Sequence, residues 1–184
     1  MTDLTHRFED ALGLATRLHR TQRRKGTDIP YVAHLLGVAA IALELGADED
    51  QGGAPVLAEI EARFGPRVAG MVAANTDGTP DAATGEKAPW RARKLAYIAG
   101  MADKDADALL VSLADKTHNA RAIVDDLALH GEALWARFNG GRDGTLWYYD
   151  ALAEAFVRHL PGPGADRLRA VVREMHVLAR ELPA

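Results

Sequence analysis

The fold class the sequence predicts is all-α, a bundle of about seven or eight helices. Three observations carry this. Apolar residues recur with a period near 3.6 along nearly the whole chain. Alternating, strand-like stretches are scarce. Glycine and proline punctuate the periodic runs at the spacing expected of helix–helix connections. With 184 residues, 48% of them apolar, the chain is expected to form a single domain, residues 1–184, with a sizeable core.

Phe8, Ala11, Leu12, Ala15 and Leu18 mark one face of a first helix, with Thr5 as its N-cap. The loop RRKGTDIP follows, broken by Gly26 and Pro30. A second helix is predicted from about Tyr31 to Leu45, with Leu35, Val38, Ile41, Ala42 and Leu45 inward and Gly46 just past its end. Val56, Leu57, Ile60 and Phe64 give a short third helix stopped by Gly65-Pro66, and Val68, Met71 and Val72 belong to a fourth. The polar, turn-rich stretch from Thr76 to Pro89 reads as a long loop. A helix from Trp90 to about Met101 precedes a long one through ADALLVSLADKTHNARAIVDDLALH. Gly140, Gly141 and Gly144 open the next turn. Helices near Thr145 to Leu160 and Ala165 to Leu182 close the chain, separated by Pro161-Gly162-Pro163-Gly164.

The net charge of −4 argues against nucleic-acid binding, which usually shows a basic excess, but not against a small anion held by a local cluster of bases. There is no cysteine, so any metal must be held by His, Asp, Glu or carbonyl oxygen. The N-terminus, MTDLTHRFED, has no apolar signal region. No window approaches 18 uninterrupted apolar residues, the minimum for a membrane span. A cytoplasmic protein without membrane contact is expected; nothing in the sequence fixes its oligomeric state.

Asp115 ends the apolar run LLVSLA, well inside a helix. Burying a carboxylate is costly unless it is paired or bound to a cation, so it is either one half of an ion pair or a metal ligand. Asn119 lies one turn further on the same face, as a polar wall of a pocket or a satisfied core amide. His34, inside YVAHLLGVAAI, is the one inward-looking histidine of the first half, since His6 and His19 read as solvated. It is either a hydrogen-bonded core residue or a ligand. Arg23, Arg24 and Lys25 stand on the loop that enters the His34 helix. They form a solvated basic face or an anion trap within reach of a phosphate near His34.

The strings RTQRRKGTDIPYVAHLLGVA and LLVSLADKTHNARAI together resemble the hydrolase domains of RelA/SpoT proteins and the small stand-alone (p)ppGpp hydrolases. The resemblance covers roughly residues 6 to 160, with Asn75-Thr76-Asp77 and Trp90 to Tyr97 in the family's variable middle. It implies a helical HD-domain fold, Mn²⁺ held by two His and two Asp, and removal of pyrophosphate from the 3′ position of the alarmone (p)ppGpp by a metal-activated water. On this resemblance His34 falls on the first metal His and Asp115 on the last metal Asp. Arg24 and Lys25 fall on contacts to phosphate and base, Asn119 on the nucleoside pocket, and Tyr149 or its neighbour Tyr148 on an aromatic wall.

The chain departs from the family where it matters most. It contains no His-Asp dipeptide and runs from LELGADEDQ directly to GGAPVLAEIEARFG. A deletion of roughly 15 residues, about four helical turns, between two copies of a similar EDQ string accounts for this. Glu49 and Asp50 are then what remains of the catalytic carboxylate pair, and half the metal site is lost. Four functional readings follow: an impaired (p)ppGpp 3′-pyrophosphohydrolase, a non-catalytic nucleotide- or partner-binding HD module, an HD phosphohydrolase for another phosphoester, and a helical scaffold without ligand.

Overall fold

A computed structural model describes residues 4–47, 57–75 and 88–181. Within them lie eight α-helices: α1 His6–Leu18, α2 Tyr31–Glu44, α3 Leu57–Phe64, α4 Pro66–Asn75, α5 Trp90–Ala99, α6 Ala106–His130, α7 Gly141–His159 and α8 Pro163–Glu181. Short 3-10 turns occupy Gly100–Asp103 and Gly131–Arg137. The one β pairing among the described residues is an isolated bridge between Arg23 and Pro30. The all-α expectation holds.

The helix ends follow from local chemistry. The Thr5 hydroxyl accepts from the Arg7 amide at 3.3 Å, capping α1. Gly46, at φ +90°, turns the chain after α2 in a conformation other residues rarely adopt. Proline opens α4 and α8 at Pro66 and Pro163, where its missing N–H costs nothing.

Two compact units emerge. The first comprises residues 1–76 and 105–118, the second residues 77–104 and 119–184. Its helix α6 therefore contributes its first half to one unit and its second half to the other. In the first unit α1, α3 and α4 share a core of Leu14, Ile60, Val68, Ala69 and Met71, completed by Ala108 of α6. A second cluster joins Ile41, Ala42 and Ala47 to Ala114, with Val38, Leu45 and Leu110 packed around it. This cluster sets α2 against the first half of α6.

In the second unit α7 packs along α8. Leu152 and Phe156 of α7, and Leu168 and Met175 of α8, are fully buried, as is Leu127 in the second half of α6.

Three expectations are corrected. Leu12 and Leu18 do not face the α1 core; each is 38% exposed, whereas Leu14 is buried, because α3 and α4 cover the Leu14 side of the helix. His19 is buried at 6% exposure rather than solvated. Helix α7 begins at Gly141 rather than Thr145: the Trp90 ring lies against Gly140 and Gly144, and the Thr145 hydroxyl donates back to the Gly141 carbonyl at 2.6 Å, so the glycine-rich segment is held helical by packing.

Candidate functional site

The apolar positions of α2 and the first half of α6 interlock at helical spacing, and that packing brings two polar groups together. His34 Nε2 lies 3.1 Å from Asp115 Oδ1. The other carboxylate oxygen, Oδ2, accepts from Lys116 Nζ at 2.6 Å. His34 Nδ1 lies 3.0 Å from His118 Nδ1. The His34 side chain is almost wholly enclosed, while that of Asp115 keeps 27% of its surface exposed.

Burial alone would raise the Asp115 carboxyl, but the Lys116 ammonium beside it and the hydrogen bond from His34 outweigh that and hold it well below the ordinary carboxylate range. Asp115 is therefore ionised and only accepts hydrogen bonds. Nε2 of His34 consequently carries the proton that it donates to Asp115. Its Nδ1 faces His118.

Further rings continue from His34. Tyr31 packs beside it with centroids 5.3 Å apart, and His19 beside Tyr31 at 5.0 Å. His19 Nδ1 meets Gln22 Oε1 at 2.6 Å. Burial raises the Tyr31 phenol above its usual value, with the Asp115 charge adding to the rise and Lys116 and Arg24 partly offsetting it.

The basic loop is folded onto the start of α2. The Arg24 amide donates to the Ile29 carbonyl at 2.9 Å, and the Tyr31 amide to the Gln22 carbonyl at 2.9 Å. The Arg23 guanidinium turns back on this loop, donating to the Asp28 carbonyl at 2.9 Å. Lys25 is exposed and Arg24 half-buried. Of the three bases, Arg24 is the one whose charge is felt at Tyr31.

Asn119 and Tyr149 belong to the second unit. Asn119 is half-buried on α6. Tyr149 and Tyr148 of α7 are each 6% exposed, with ring centroids 5.8 Å apart. Lys94 Nζ stands 4.9 Å from the centre of the Tyr148 ring. Glu49 and Asp50 lie outside the described residues, as do Thr76 and Asp77.

An N···O separation of 3.1 Å between His34 and Asp115 matches two adjacent positions around one cation with bonds of ~2.1 Å. Two donors are nevertheless too few for a catalytic divalent centre, and the second Asp115 oxygen is bonded to Lys116. No group of three His, Cys, Asp or Glu side chains arranged to hold a metal occurs among the described residues. These residues do not fit a complete centre.

Residues 11–146 match the family model described as HD domain. The chain belongs to the HD-domain family. Among solved structures, this HD-domain protein is similar to a metazoan ortholog of SpoT that hydrolyses ppGpp and plays a role in starvation responses. The identity is 25%, the match covers 95% of this chain and 98% of the other, and the TM-score is 0.73. It shares its fold with a protein of Listeria monocytogenes EGD-e at 22% identity, over 80% of this chain and 99% of that one, with a TM-score of 0.65. No curated protein matches its sequence. The family match spans α1 to the first turns of α7 and so includes both His34 and Asp115, yet this member has no His-Asp dipeptide in its sequence.

Proposed function

We propose that this HD-domain protein recognises a guanosine polyphosphate, (p)ppGpp, and is related to enzymes that remove pyrophosphate from its 3′ position, with hydrolysis impaired in this chain. The observation that best supports this is the 3.1 Å contact between His34 and Asp115 across α2 and α6, in a chain similar to a metazoan protein that hydrolyses ppGpp. In this reading Arg24 and Lys25 attract the phosphates, and Asn119 and Tyr149 contact the nucleoside. His34 and Asp115 are the surviving donors for Mn²⁺, and Glu49 and Asp50 the carboxylates left near the reacting water. Such a cation, when bound, lowers the pKa of a water and draws charge from phosphoryl oxygens. The protein acts in the cytoplasm in this reading.

A second reading is favoured by a specific observation. Asp115 already has Lys116 on one oxygen and His34 on the other, so its charge is balanced without a divalent ion. A nucleotide-binding module without turnover needs only that balance and the basic loop.

Equilibrium binding of ppGpp at low ionic strength, beside Mn²⁺-dependent pyrophosphate release, tests both. Salt-sensitive binding with slow release abolished by Asp115→Ala supports the impaired hydrolase. Binding with no Asp115-dependent release supports the module. Absence of binding at millimolar nucleotide overturns both.

A further inference from the structure

We infer that His118 is a positioning residue for His34: its imidazole, seated on the bare backbone of Gly37, fixes the His34 ring so that Nε2 faces Asp115. The inference builds on the reading of His34 and Asp115 as the centre of the site, but its geometry stands apart from any bound group.

Two helical rungs face each other. His34 and Gly37 are three residues apart on α2, and Asp115 and His118 three apart on α6, so each pair lies on one helix face. His34 is bonded to both members of the opposite rung, Nε2 to Asp115 at 3.1 Å and Nδ1 to His118 at 3.0 Å. An imidazole has only these two polar atoms. Turning the ring over about its Cβ–Cγ bond would put a carbon in place of each nitrogen and forfeit both contacts together. The bond to Asp115 already disfavours the turned ring; the contact with His118 adds a second bond that the turned ring would also lose and fixes the ring at both edges.

The second observation is independent of the hydrogen bond. A Cβ built on Gly37 would collide with Cδ2 and Nε2 of the His118 ring. His118 thus backs directly onto the α2 main chain, and glycine is the residue that leaves space for it. The two rings meet nearly edge to face, with centroids 4.8 Å apart and planes at 62°. A glycine inside a helix is less favourable than alanine; here it admits a ring that orients the residue one turn before it.

Asp115 accepts, so His34 carries a proton on Nε2; in the neutral ring Nδ1 is then the acceptor, and His118 Nδ1 is the donor that faces it. Glutamine at position 118 could still donate from an amide nitrogen; phenylalanine could fill the space but not donate.

The test is a two-bond ¹⁵N–¹H correlation of the histidine rings in the full-length protein, without added metal or nucleotide, at one neutral pH. In the wild type His34 is expected to show a single pattern with the proton on Nε2. His118→Phe should replace it with averaged or broadened signals, Gly37→Ala should do the same by displacing His118, and His118→Gln should restore the wild-type pattern. An unchanged His34 pattern in His118→Phe overturns the inference; should that variant not fold, an unchanged pattern in Gly37→Ala does so. A His118→Gln spectrum as perturbed as that of a folded His118→Phe overturns it too. Because neither metal nor nucleotide is present, failure of the hydrolase reading leaves this outcome untouched.

Discussion

Asp115 accepts from two donors of unequal strength: a neighbouring ammonium at 2.6 Å and an imidazole N–H at 3.1 Å. The ammonium contributes more to holding its carboxyl down, so Lys116→Met should cost about 1–3 kcal/mol in urea unfolding at neutral pH, the usual penalty for depriving an enclosed charge of its partner. The pH dependence has a definite sign. A depressed carboxyl stabilises the fold fully above the unfolded value of about 3.9, and that contribution is lost as pH falls through the lower, folded value. In Lys116→Met the folded value rises, so acid destabilisation should begin at higher pH than in the wild type. Arg24 and Arg23 differ in a way composition cannot reveal. Arg23 is already bonded to the Asp28 carbonyl, whereas the Arg24 charge reaches Tyr31. Arg24→Ala should weaken ppGpp binding roughly tenfold, as for loss of one charge-assisted hydrogen bond of about 1.5 kcal/mol, and Arg23→Ala less, by titration at low salt. At this scale His34 was legible as an inward histidine because it sits in a wholly apolar helical run. His19 was not, because it ends α1 beside arginines and is enclosed by Tyr31, a neighbour only the fold supplies. His118 carried a readable signal that went unused: it follows Asp115 at helical spacing, and Gly37 follows His34 in the same way.

Among the elements, α6 spans Ala106–His130, the stretch its continuous 3.6-residue period delimits between polar turns. Periodicity is a strong guide there because 25 residues average out local exceptions. In α1, with 13 residues, two leucines were assigned to the wrong face, since the choice between Leu12 and Leu14 depends on where α3 and α4 settle. The α7 start depended on Trp90 lying against glycines, a contact between segments far apart in sequence. Helix α8 offers a contrast for measurement. Leu168 is fully buried and Val177 is 49% exposed. Leu168→Ala should destabilise by ~2–5 kcal/mol through lost burial and the cavity left behind. Val177→Ala should stay within about 0.5 kcal/mol. Chemical denaturation of both variants checks the pair.

For the molecule as a whole, the family was readable from two strings, one in α2 and its entry loop and one in α6, because His34 and Asp115 lie in helices whose residues also pack the core. The absence of a His-Asp dipeptide was equally readable. Hydrolysis needs a water activated by the cation and held by a carboxylate beside the scissile bond. On the proposed reading His34 and Asp115 supply two donors, and the interactions a lost ligand pair would make act on the transition state, so tighter substrate binding does not replace them. Removing one central electrostatic group from an active site costs about 10²–10³ in rate, and the proposed reading leaves two ligands lacking. The chain should therefore hydrolyse ppGpp at least ~10³-fold more slowly than a version carrying a family-like His-Asp helix inserted after Gln51. Pyrophosphate release is measured for both with Mn²⁺, and Asp115→Ala of each serves as the blank. Comparable, Asp115-dependent rates in the two proteins would overturn the deletion account and require donors from residues other than those proposed. A gain only in the inserted version, lost again on Asp115→Ala, would support the deletion account and identify a His-Asp helix as the part needed for turnover.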